Sequence, residues 1–123
     1  MTDVVPPPST SPVRTGAPFL LKLACAFGAA SHFSLFVLGV RAALAHTAPV
    51  APAVLWVHAL AMLVSVGAFV LAWRMRRVGV LLYILCVAAV NIAWGSAGLW
   101  SAQYVALPSL LTLVLLTSLH RMR

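Results

Sequence analysis

The sequence has a single acidic residue, Asp3, against eight arginines and lysines. That scarcity removes whole classes of chemistry. No second carboxylate exists for a general acid–base pair. Nor is there an oxygen-rich carboxylate cage for a hard cation. Cysteine is nearly as rare. Cys25 and Cys86 lie in separate apolar runs with no C-x-x-C, so thiol–disulfide exchange has no motif and each reads as a small buried hydrophobe. No carboxylate or thiolate stands near enough to an imidazole to complete a metal-ligand set, and no metal site is expected. Neither a phosphate loop nor a nucleophile–base pair is present, so nothing marks an enzyme.

Charge of either sign is also scarce. Only 7% of residues are charged and 63% are hydrophobic, whereas a soluble domain carries about a quarter charged residues. From Val78 to Leu119 no residue carries a formal charge. A span takes about 20 apolar residues, so that stretch holds two spans and a turn. Irregular backbone cannot face lipid, and each span must be a helix. The expected fold is therefore an all-α integral membrane protein, a bundle of four transmembrane helices over about 19–40, 53–73, 78–100 and 103–119. These make one domain over residues 18–123. Pro108 falls in the second turn of the last helix and predicts a local distortion. Residues 1–17, "MTDVVPPPSTSPVRTGA", are rich in Pro, Ser and Thr and read as a flexible tail that buries too little to order itself.

The basic residues report orientation. Arg14, Lys22, Arg74, Arg76, Arg77, Arg121 and Arg123 fall on one side of the expected spans, and only Arg41 falls on the other. By the positive-inside bias both termini are expected in the cytoplasm, with these side chains meeting lipid headgroups. A basic chain could also suggest nucleic acid, but residues scattered over four span ends form no continuous stripe, and no nucleic-acid partner is expected. The preference for arginine over lysine, with Ala, Val and Leu dominant, suggests a bacterial source and thus a multi-pass protein of the cytoplasmic (inner) membrane. Ala43-Leu44-Ala45 has the small-x-small form of a signal-peptidase site. The preceding run from Leu23 to Val40 is longer than a signal h-region, so the site is expected to stay uncut.

Polar residues inside the apolar runs are the candidate functional groups: His32, His58 and Asn91. Each falls on a stripe of small residues, the face by which membrane helices approach closely. The stripes are Gly28, His32, Leu35 and Gly39 on the first helix; His58, Ala61, Ser65, Ala68 and Ala72 on the second; Ala88, Asn91, Gly95 and Gly98 on the third. The echo of "AASHF" (29–33) in "AAVNI" (88–92) fits a duplicated hairpin only loosely. An imidazole charged near the bilayer midplane has no carboxylate to offset it. His32 is expected to be neutral, with Asn91 as its partner across helices.

Haem b between His32 and His58 is a remote possibility, because the two imidazoles are offset axially by about 9 Å on antiparallel helices, and no cofactor is expected. Small four-helix multidrug exporters have this size and span count but depend on an embedded glutamate, which is missing here. Channels of the fluoride type ask for weak charge bias and a glycine-rich arginine motif, neither present. The sequence therefore reads as an accessory, assembly or scaffolding subunit. Its expected partners are the bilayer and other membrane subunits, or copies of itself. The alternative is a small transporter or channel using His32, Asn91 and His58. For topology, cysteines placed at 46–50 should react with impermeant thiol reagents from outside intact cells and those at 74–77 should not. The reverse labelling pattern refutes the orientation.

Overall fold

The computed structural model describes residues 18–46 and 49–122. The tail 1–17 and Arg123, and with them the expectations placed there, lie outside the described residues. Four α-helices follow in order: α1 (Phe19–Ala45), α2 (Pro52–Trp73), α3 (Arg77–Ser96) and α4 (Gln103–Ser118), the last running into a 3-10 turn at Leu119–Arg121. No strand occurs among the described residues. Three helices, α1 to α3, are long and apolar enough to cross a membrane. At 1.5 Å per residue α4 reaches only about 24 Å against a hydrocarbon core of about 30 Å. It is the shorter, weaker fourth member of the bundle.

Helix ends depart from the expected bounds for local reasons. α1 runs to Ala45 rather than 40, straight through Arg41, and stops where His46 turns left-handed at φ 51°. Ala43-Leu44-Ala45 is thus the last turn of a helix, with Ala43 buried. α2 opens on Pro52, whose missing N–H costs nothing in a first turn. α3 stops at Ser96 rather than 100. There Leu99 N–H bonds Trp94 O at 3.1 Å and Gly98 N–H bonds Gly95 O at 3.0 Å around a left-handed Gly98, φ +70°. That paired bonding is a Schellman stop. The same pattern ends α2: Arg76 N–H reaches Leu71 O at 3.0 Å and Met75 N–H reaches Ala72 O at 2.9 Å, with Met75 at φ 59° in the position usually given to glycine.

α2 lies between α1 and α3, and these two pairings carry most of the packing. Close approach is possible because the facing residues are small. Gly28 on α1 leaves room for the ring of Phe69, which a Cβ there would strike. Gly79 on α3 lies against the backbone of α2, where a Cβ would stand 2.5 Å from both Ala68 O and Ala72 N. Around these contacts the core gathers Leu21, Cys25, Phe69, Val80, Tyr83, Leu111, Leu115 and Met122. Arg77 Nε donates to Met122 O at 2.9 Å, so the α2–α3 turn and the end of α4 share one end of the bundle.

The stripes expected on α1 and α2 are buried at Gly28, Gly39, Ala61, Ser65 and Ala68, although Leu35 is exposed. On α3 the stripe is corrected. Its buried residues are Gly79, Val80, Tyr83 and Cys86, while Ala88 is exposed. A Cβ on Gly95 would meet nothing within 4 Å, and Gly98 is a helix stop outside α3. Ala88 is nine residues beyond Gly79, a rotation of about 900° at 3.6 residues per turn, which puts the two on opposite faces. Only one of them can meet α2, and the backbone contact at Gly79 decides which. The hairpins α1–α2 and α3–α4 also differ, the first packed closely and the second sparsely, so no duplication is visible. The outward faces carry Leu23, Phe27, Leu60, Leu85, Ile92 and Leu113, all exposed.

Gly79→Ala should lower the melting temperature in detergent, at a cost of about 1–3 kcal/mol for forcing a methyl into a backbone contact. Gly95→Ala should be neutral or slightly stabilising. Equal tolerance of both would refute the α2–α3 contact.

Candidate functional site

The three polar residues singled out by sequence line one cavity, of about 270 Å³, bounded by all four helices. His32 enters it from α1; His58, Met62 and Ser65 from α2; Val87, Val90, Asn91 and Trp94 from α3; Leu107 and Pro108 from α4. The wall is mostly apolar, as expected of a pocket that fits a ligand body and orients it through a few polar atoms.

His32 is 3% exposed and bonds within its own helix. Its Nδ1 lies 2.8 Å from Gly28 O, one turn back. A carbonyl only accepts, so Nδ1 carries the proton and Nε2 is left as a bare lone pair. Ser31 Oγ also donates to Gly28 O, at 3.0 Å. The ring stands edge-on to Phe69 at 5.2 Å and to Tyr83 at 5.6 Å between centroids. The expected pairing of His32 with Asn91 is thereby corrected. Asn91 instead donates from Nδ2 to Val87 O at 2.8 Å and accepts from Trp100 Nε1 at 3.2 Å. Both side chains are engaged locally because each finds a backbone carbonyl one turn behind on its own helix, which needs no ordering of a second helix.

His58 has the opposite arrangement. Trp94 Nε1–H donates to its Nδ1 at 3.2 Å, with the rings perpendicular at 87° and 5.7 Å apart. In the neutral ring the proton then sits on Nε2. A Cβ on Gly39 would lie 3.4 Å from His58 Cδ2, so His58 is level with Gly39. His32 is seven residues further down α1, about 10 Å away along the axis. A haem iron held by both imidazoles would need a bare Nε2 on each at one depth. Here one is protonated through Trp94, and the two depths differ.

Trp94 and Tyr83 were not singled out by sequence. Trp94 was legible in principle, because it follows Asn91 by three residues and shares its face. Tyr83 was hidden by the misplaced α3 stripe. It is fully buried, and its Oη is the one buried side-chain nitrogen or oxygen without a hydrogen-bond partner among the described residues. His32 Nε2 makes no hydrogen bond among the described residues, and His32 is one of the residues that line the cavity. Lys22, Arg74, Arg76, Arg77 and Arg121 stand far from this site, at the α1 start, the α2–α3 turn and the chain's end.

Tyr83→Phe should leave thermal stability unchanged or raise it by up to about 1–2 kcal/mol, since it removes a hydroxyl that is buried without a partner. A loss of stability beyond about 1 kcal/mol in a detergent melt would mean that Oη has a bonding partner after all. Compared with family models, with curated proteins and with solved structures, the chain matches none, so its function is argued from the site alone.

Proposed function

We propose that the protein is a small transporter or carrier of the bacterial cytoplasmic membrane that binds a lipid-soluble molecule between its helices, with its arginine-rich end in the cytoplasm. One observation carries this reading: His32, His58 and Asn91 open onto a single, mostly apolar cavity rather than being packed shut. Apolar walls with a few converging polar atoms are the usual form of a small-molecule site. Intramembrane polar groups that hold open hydrogen-bonding capacity are costly to keep without a use.

A second reading, that of an accessory or assembly subunit, has lost part of its support and kept part. The small-residue faces of α1 and α2 are consumed inside the chain, against Phe69, His58 and Ala59. Ala88, in an open groove between α3 and α4, and the open Gly95 remain where a partner helix or a second copy could approach.

Val90 lines the cavity and offers the test. A lipid-soluble extract of the host membrane should raise the melting temperature of the purified wild type by mass action. Val90→Phe, which fills the cavity, should be stable and show no such rise. No rise in the wild type, together with a stoichiometric protein partner that co-purifies in mild detergent, would overturn the carrier reading in favour of the subunit.

A further inference from the structure

The hydrogen bonds that occupy one nitrogen of each imidazole also decide what the other presents. His32 gives its Nδ1 proton to Gly28 O, which leaves Nε2 able only to accept. His58 receives the Trp94 indole proton on Nδ1, which leaves Nε2–H able only to donate. The cavity thus has a hydrogen-bond acceptor at its His32 end and a donor at its His58 end, separated along the bundle by about 10 Å. Asn91 adds a donor on the same wall. Its Nδ2 has two protons and spends one on Val87 O. Ser65 spends its proton on Ala61 O at 2.8 Å and can only accept further.

Between these ends the lining is Leu35, Met62, Val87, Val90 and Leu107. No charged residue among the described ones lines the cavity. A cation or anion there would lose its hydration with nothing to offset it, at a cost far above what a few neutral hydrogen bonds return. The occupant has to be neutral. A six-membered ring with polar groups on opposite corners, plus a hydrogen bond at each end, spans about the separation that the rise of α1 sets.

We infer that the cavity takes a neutral, ring-sized, lipid-soluble molecule that donates a hydroxyl to His32 Nε2 at one end and offers a carbonyl-type acceptor to His58 Nε2–H at the other. This rests on the cavity being a binding site and adds the polarity and direction of what binds. The molecule is held one way round, since the reversed pose would set a carbonyl against the bare lone pair of His32 and leave the hydroxyl proton without an acceptor at His58. Trp94 acts as a positioning residue: it holds the His58 tautomer and so writes half of the recognition.

Matched probes separate the claims. 4-Hydroxyacetophenone has the required hydroxyl and ketone across a ring, and 4-methoxyacetophenone is the same molecule without the donor. 4-Acetylphenyl-trimethylammonium carries a fixed positive charge in the donor's place. With the full-length protein in lipid nanodiscs, at a pH where the phenol stays protonated, the hydroxy probe should bind at least about tenfold tighter than the methoxy probe, the factor expected for one hydrogen bond to a buried acceptor. The cationic probe should not bind measurably. Nitrogen NMR of isotope-labelled histidine should show the bare Nε2 resonance of His32 moving on addition of the hydroxy probe and staying in place with the methoxy one. His32→Phe, which keeps the aromatic edge against Phe69 and Tyr83, should still take both neutral probes but lose the preference. Trp94→Phe, which frees the His58 tautomer at the carbonyl end, should weaken both neutral probes alike and keep the preference between them.

Equal affinity of the two neutral probes, or a His32 Nε2 signal that ignores the hydroxyl, overturns this inference while leaving the cavity as a binding site. Tight binding of the cation overturns the requirement for neutrality. If none of the probes binds, the inference fails, and the Val90→Phe experiment decides separately whether the cavity binds anything.

Discussion

The structure depends on how closely α2 is approached from both sides. In an apolar surrounding there is little water to expel between helices, so association has to come from dense packing of small residues. Gly79 supplies it on the α3 side, where its Cα hydrogens sit against the backbone at Ala68 and Ala72. Gly28 supplies it on the α1 side by giving the Phe69 ring a seat. With α2 clamped by both neighbours, the rotation of each helix is set, and with it every side chain that faces inward. α4 has no comparable contact and follows the others through Leu111, Leu115 and the Arg77–Met122 bond.

The cavity is the other side of that constraint. At the arginine-rich end the bulk of Phe69 and Tyr83 fills the space between helices, their rings 4.7 Å apart. Beyond them the facing residues of α2 shrink to Ser65 and Met62, α3 offers Val87 and Val90, and α4 carries Pro108. The described residues of that half leave a gap of about 270 Å³ between the helices. His32 and His58 both line it, and each is held in one tautomer by a hydrogen bond. For His32 the partner is a carbonyl one turn back; for His58 it is an indole across the α2–α3 interface.

Most of the helical architecture was legible in the sequence, because composition and length decide it. Charge-free runs over 78–119 can only be helices if they meet lipid. The residues of the candidate site, His32, His58 and Asn91, were legible as polar groups that an apolar chain has no reason to keep unless they are used or satisfied. Their convergence on one space was not, and neither was the hydrogen-bond partner of any of them. Asn91 and His32 stand on helices with similar depth, which made a pairing plausible, but a carbonyl on the same helix is always nearer than a side chain on another.

What the sequence by itself determined was the number of helices, their apolar outer faces, the arginine-rich end, and the small residues on α1 and α2 that make close packing possible. Those are properties of one helix at a time, fixed by hydropathy, charge and a period of 3.6 residues. The tertiary structure decided which face of α3 turns inward, because Ala88 and Gly79 are both small and lie on opposite sides, and only contact with the α2 backbone chooses between them. That single rotation places Tyr83 in the core and Trp94 on His58. It opens the cavity beside Val90 and sets which nitrogen of His58 is engaged, while Gly28 O on the same helix does so for His32.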